Sequence, residues 1–171
     1  MAGNKYQDEN NQYWFDFTKA LWSTNELTTK YTANIHSVLS SVDFIAETDK
    51  EIVFVEYKNA NIKNAVNPQA FITKLTSDEH YQSIAKKFYG SLIYILVCNK
   101  NKKYKYVYIL ECMLADSVTR RRLRNKISRK LPFTLQKEPE IKIELISDFD
   151  ILSIAEWNSN PAYSSCPISK V

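Results

Sequence analysis

Asp43, Glu56 and Lys58 are the residues of this chain whose types and spacing point most directly to chemistry. They fall within residues 41–60, two apolar strand-like runs joined by a short polar turn. The uninterrupted run Ile52, Val53, Phe54, Val55 suits a strand covered on both faces. Side chains alternate along a strand, so Glu56 and Lys58 share one face and Tyr57 takes the other. Charges enter such a strand when they are paired, bind metal or do chemistry. If the two runs pair around the turn at residues 47–51, Asp43 comes within reach of Glu56, and two carboxylates and an ammonium converge. Carboxylate oxygens suit a hard cation such as magnesium, which keeps several waters and takes one or two protein carboxylates. A lysine beside the ion can orient a water or stabilise charge developing on a phosphate.

Asp43, a spacer of 12 residues and then Glu56-Tyr57-Lys58, each half set in an apolar strand, resembles the signature of the PD-(D/E)XK nuclease superfamily. That superfamily includes restriction endonucleases, Holliday-junction resolvases and DNA-repair nucleases. The resemblance implies hydrolysis of nucleic-acid phosphodiesters with magnesium, for which manganese can substitute. It makes Asp43 and Glu56 metal ligands, adds the Tyr57 carbonyl oxygen as a further ligand, and has Lys58 position or activate the attacking water. Val42 stands where the family carries proline. Some members place an extra acid on the first helix, and Glu26 is the candidate here. The implied fold is a restriction-endonuclease-like α/β domain, a three-layer-type sandwich whose central mixed sheet is flanked by helices, with core order α-β-β-β-α-β. The plainer alternative is a strand-end ion pair between Glu56 and Lys58, with Asp43 opening a turn. The apolar strands around both halves, and the order of elements downstream, favour the nuclease.

Composition removes several competing classes. Only two glycines are present, Gly3 and Gly90, so neither a P-loop nor a dinucleotide-binding fingerprint exists. No segment is long and apolar enough to cross a membrane, and the first residues lack a signal-peptide core. The three cysteines show no C-x-x-C spacing; Cys98 and Cys112 read as buried thiols and Cys166 as part of a tail, so a reducing, cytoplasmic setting is expected. Residues 98–137 hold 12 Lys and Arg against two acids, Glu111 and Asp116, while the whole chain carries only +4, so the remainder is net acidic. A basic block of this kind is the footprint expected of a polyanion-binding surface.

The elements that must position the trio are read from periodicity. Trp14, Phe17 and Leu21, widened by Phe15 and Trp22, predict an amphipathic helix over residues 11–28, after a disordered start. Residues 33–40 are ambiguous, since Ile35, Val38 and Leu39 suit a short helix or a strand, and residues 34–39 could supply a third early strand. Asn67 and Pro68 suit a helix start, and Thr76 to Glu79 has capping-box spacing before a stripe that ends at Gly90. Strands are expected at residues 91–98, 104–113 and 141–145, and a basic helix at 117–131 with Leu123, Ile127 and Leu131 facing inward. Ser147 would cap a last helix over residues 149–157. A single domain would thus span residues 1–157, leaving 158–171 as a disordered tail.

The function expected from these readings is a magnesium-dependent endonuclease, with DNA as the preferred nucleic acid. Lys102 and Lys103 in the lysine-rich turn, and Arg121, Arg122, Lys126, Arg129 and Lys130 on the basic helix, are the candidate contacts to its backbone. The resemblance leaves room for a homodimer, since many members cut both strands as dimers. Two alternatives stay open: a nucleic-acid-binding or assembly module that keeps the fold without catalysis, and an RNA-directed nuclease.

Overall fold

In the computed structural model, which describes residues 3–61 and 68–171, two sheets and a layer of helices stack around the strand that carries Glu56. The main sheet has five strands: β3 (Trp22–Thr24), β4 (Phe44–Glu47), β5 (Glu51–Asn59), β6 (Lys103–Glu111) and β7 (Asp148–Leu152), in that spatial order. β3, β4 and β5 run antiparallel in succession, whereas β5, β6 and β7 are parallel, so the sheet is mixed. A smaller sheet of β1 (Lys5–Gln7), β2 (Tyr13–Asp16) and β8 (Ile168–Lys170) lies apart from it in hydrogen bonding.

The pleat of β5 explains the layers. Ile52 and Phe54 face a core built with α3 (Asp78–Val97) and α4 (Ser117–Ser128), where Phe54 meets Phe88 edge-on at 5.4 Å. Val53, Val55 and Tyr57 face the opposite core, made by the small sheet and α5 (Ile154–Ser159), where Phe15 stacks on Phe44 at 4.4 Å. All the α-helices but the short α5 therefore cover one face. The expected sandwich flanked by helices is corrected on its other face, which the β1–β2–β8 sheet and the short α5 close.

Other expectations shift for identifiable reasons. The helix expected over residues 11–28 is absent up to residue 26, since α1 begins only at Leu27: Tyr13, Phe15 and Phe17 turn inward with period two, and the Asp8 carboxylate accepts from the amides of Asn10, Gln12 and Tyr13 to make a hairpin turn. The third early strand is β3, not residues 33–40; α1 (Leu27–Ile35) then intervenes between the first and second strands of the main sheet. Residues 91–97 are not a strand but continue α3, because Ile84, Ala85, Phe88, Leu92 and Ile95 form one buried helical stripe. Ser77 rather than Thr76 caps that helix, and Asn67 lies outside the described residues. The alternation at residues 141–145 is not a strand, since the Gln136 side-chain oxygen takes the Leu145 and Ile146 amides; β7 forms later. Ser153, not Ser147, caps α5, with a full capping box to Glu156. Residues 158–171 are ordered: Trp157 stacks on Tyr163 at 3.8 Å and donates to the Cys166 carbonyl, and β8 pairs with β2. Cys98 is exposed and Cys166 buried, the reverse of the expected burial.

Gly90 sits inside α3 instead of ending it, and its role is close approach. A Cβ built there would meet the Ser40 carbonyl oxygen at 1.9 Å. Next to it, Ser91 Oγ accepts from the Val42 amide at 3.0 Å, and Tyr31 donates to the Gly90 carbonyl. The middle of α3 thus fixes the segment that delivers Asp43. Gly90→Ala should destabilise the protein by about 1–3 kcal/mol, as overpacking against rigid backbone does, measured by urea denaturation. An unchanged midpoint would remove this account of the contact.

Candidate functional site

The register of β4 and β5 decides where the acids go. Phe44 pairs with Val55, so Asp43, one residue earlier, lies across from Glu56. β4 ends there, and the Asp43 carboxylate takes over from its backbone: Asp43 Oδ2 accepts from the Tyr57 amide at 2.8 Å. Glu56 follows the parity of Phe54 and emerges on the helix-covered face, where it is only 5% exposed. Lys87, on α3, reaches across and places Nζ 2.5 Å from Glu56 Oε1. Glu56 Oε2 is buried and has no partner among the described residues.

These contacts set the protonation balance. Burial first, and the Asp43 charge second, push the Glu56 carboxyl up to about 8, against the pull of Lys87. Burial likewise raises Asp43, with Lys87 and the Tyr57 amide opposing. Burial acts to lower Lys87, but the Glu56 and Asp43 charges outweigh it and hold its pKa above the ordinary range, so it stays an ammonium. Two desolvated carboxyl groups crowd one cation, and one buried oxygen, Glu56 Oε2, is left without a partner among the described residues.

Asp43, Glu56 and Lys58 line one cavity of about 340 Å³ beneath α3. Lys58, however, bonds to Glu9 at 3.4 Å, at the tip of the β1–β2 hairpin, and is substantially exposed. Lys87 fills the place beside Glu56 that the E-x-K spacing suggests for Lys58. Sequence reading missed it because Lys86-Lys87 looks like an ordinary solvated pair. The signal was there in the helical phase, since His80, Ile84 and Lys87 fall on one face. His80 lines the cavity too, with Nε2 3.5 Å from the Tyr108 hydroxyl. Burial, then Lys74, Lys87 and Lys58, depress its pKa to about 4, so it is neutral at pH 7.

The other nominated residues separate from the cavity. Glu26, at the start of α1, is solvent-facing and pairs with Lys30 at 3.8 Å, and it does not line the cavity. Lys102 bonds to Glu47 and the Thr48 carbonyl, and Lys103 opens β6 opposite Glu51, at the end of the sheet away from Glu56. Lys130 is engaged by Asp78 at 2.8 Å. Arg121, Arg122, Lys126 and Arg129 are exposed and make no ion pair among the described residues. Their neighbours Arg120 and Arg124 are neutralised by Glu156, Asp148 and Asp150.

Among the described residues no three His, Cys, Asp or Glu side chains cluster closely enough to hold a metal ion together. The donors that do fit a hard cation are the carboxylates of Asp43 and Glu56, the latter with a spare buried oxygen. That suits magnesium, which fills its remaining positions with water. Tyr57 directs its amide toward Asp43, and a strand residue's carbonyl points to the same edge as its amide.

Two measurements follow from this geometry. Magnesium at about 100 times its Kd should stabilise the wild type by about 2.7 kcal/mol, and Asp43→Asn should abolish the thermal shift; an equal shift in the variant would remove Asp43 from the site. For His80, the unfolded chain takes up a proton below its ordinary value of 6.5 while the folded protein resists until about 4. Stability is therefore lost as pH falls through that window. His80→Gln should flatten this part of the urea-stability profile, and parallel profiles would contradict the burial of the imidazole.

No protein-family model, curated protein or solved structure matches the chain.

Proposed function

We propose that the chain is a magnesium-dependent nuclease that hydrolyses phosphodiester bonds in nucleic acid, with DNA as the first substrate to test. The observation that carries this reading is the juxtaposition of Asp43 and Glu56 in a cavity with a bound lysine and an unused buried oxygen. A buried ion pair is weak evidence for stability, and two carboxylates sharing one ammonium is a costly arrangement. Perturbed groups gathered in a cavity mark functional sites instead.

In this reading Asp43 and Glu56 hold the ion, and the Tyr57 carbonyl is the third protein donor. Magnesium, when bound, supplies Lewis-acid stabilisation of phosphate charge and acidifies water. Lys87 fixes the orientation of Glu56 through its 2.5 Å bond. Lys58 is the mobile cation at the mouth: its surface bond to Glu9 is weak and readily exchanged for a phosphate oxygen or the attacking water. The exposed Arg121, Arg122, Lys126 and Arg129 supply a sequence-independent attraction for the polyanion. Among the described residues no third acid clusters with Asp43 and Glu56, so the reading takes one ion rather than two.

Cleavage of linear, branched and single-stranded DNA and of RNA, with and without magnesium, tests the proposal. Asp43→Ala, Glu56→Gln and Lys58→Ala should each lower turnover by about 10²–10³-fold, the scale of losing one preorganised electrostatic contact. Undiminished cleavage in any of the three would remove that residue from the mechanism. Salt-sensitive binding with no metal-dependent turnover would favour the non-catalytic module.

A further inference from the structure

The cavity has a second wall that the hydrolytic residues leave unused. The corner between α2 (Pro68–Leu75) and α3 brings Phe71, Lys74, Ser77, Glu79, His80 and Ser83 to the same space as the carboxylates. Lys74 and Ser83 are exposed to it and have no side-chain partner among the described residues. His80 has only its long contact to Tyr108. Ser77 Oγ accepts from the His80 amide, which leaves its hydroxyl hydrogen free to donate. Uncommitted donors on one wall face uncommitted acceptors on the floor. A phosphodiester flanked by a cation is the ligand that satisfies both.

Depth limits what can carry that phosphate in. The floor is deep, with Glu56 only 5% exposed, and Glu9 at the hairpin tip lines the same cavity. A single strand, with its freely turning backbone, bends inward to such a floor more readily than a stiff duplex does. Phe71, half-buried in the lining, offers an aromatic face of the kind on which bases stack. The adjoining cavity of about 210 Å³ shares Glu9, Asp43 and Tyr57 but is lined by Asp8, Gln7, Asn25 and Thr28 with no Lys or Arg. The larger cavity sets Lys58, Lys74 and Lys87 against Glu9, Asp43, Glu56 and Glu79, whereas the smaller one has acids and no cation, so a phosphate chain is less opposed on the α2 and α3 side.

We infer that the substrate is a single-stranded segment of nucleic acid, an end, flap or loop, whose phosphate is received by Lys74, His80 and Ser83 and whose adjacent base stacks on Phe71. The inference rests on the nuclease reading for its ligand class and adds the form that ligand takes.

Fluorescence anisotropy with the wild-type protein, calcium replacing magnesium, tests it on labelled 12-nucleotide single strands, deoxy and ribo, and on the blunt DNA duplex of the same sequence. At least one single strand should bind about tenfold or more tighter than the duplex. Phe71→Leu, which keeps the apolar packing, should weaken single-strand binding at least about fivefold, as loss of one stacked base does. Lys74→Ala should lower the slope of log K against log salt by about 0.7, the value of one phosphate contact on a single strand. Duplex binding equal to or tighter than both single strands overturns the inference, as do Phe71 and Lys74 variants that bind like wild type. The two readings fail separately. Single-strand selectivity without magnesium-dependent cleavage would sink the nuclease and leave this binding site, while cleavage confined to duplex would do the opposite.

Discussion

The contact on which the site depends is the bond between Lys87 and Glu56, made where a second carboxylate already crowds the same desolvated spot. Each neighbouring restraint serves that crowding. β4 stops at Phe44, so that Asp43 spends its carboxylate on the Tyr57 amide. Gly90 and Ser91 clamp residues 40–42 against α3, which sets both the approach of Asp43 and the height of Lys87 on the same helix. One rigid helix thus carries the cation and anchors the strand bearing the facing acid. A shift in α3 would alter the two charges together, which is how a scaffold holds a site to a fraction of an ångström.

The same dependence explains what the sequence made legible. The β4–β5 hairpin, its turn and the parity of Glu56 followed from period-two patterning and β-branched residues, because this strand is buried on both faces and its register has one solution. The basic helix and β6 were legible for similar reasons. Segments 11–28 and 91–97 were not, since short apolar runs satisfy helical and strand periods alike. Tertiary pairing decided them: Phe15 and Phe17 against Phe44 in one case, and the Ile84-to-Ile95 stripe in the other. Lys87 was hidden for a different reason. Its meaning depends on a residue 31 positions away, and no local pattern reports such a contact.

The basic block shows how a charge pattern changes meaning on folding. Lys100 and Lys102 converge on Glu47, Lys105 and Arg124 on Asp148, Arg120 on Glu156, and Lys130 on Asp78. The excess acids elsewhere in the chain return to neutralise about half of it. The cations left without an ion pair among the described residues are Arg121, Arg122, Lys126 and Arg129 on or at the end of α4, with Lys103 and Lys137 apart from them, so any attraction for a polyanion would arise from fewer residues than the sequence count suggests. Near the cavity the balance differs: among the described residues Lys74 has no ion-pair partner, and Lys58 is paired by Glu9 at the hairpin tip.

That hairpin gives the chain ends a purpose that their polar composition disguises. Asp8 folds residues 8–13 into a tight turn, from which Glu9 reaches Lys58 and Gln12 reaches the Asn59 side chain. β2 is held in turn by β8, which Trp157 and Asn158 fasten through the Cys166 and Ile168 backbones. The last residues of the chain therefore support the sheet that carries the rim of the cavity. Glu9 occupies Lys58 by a weak surface ion pair, and a phosphate with a cation offers that lysine a stronger partner than a solvated carboxylate does. Entry of such a ligand would free Glu9 from Lys58, while the Gln12–Asn59 bond and the deeper Lys87–Glu56 bond stay in place. The rim is thus the yielding part of the site and the α3 wall is the fixed part, and this division follows from which of the two ion pairs is buried.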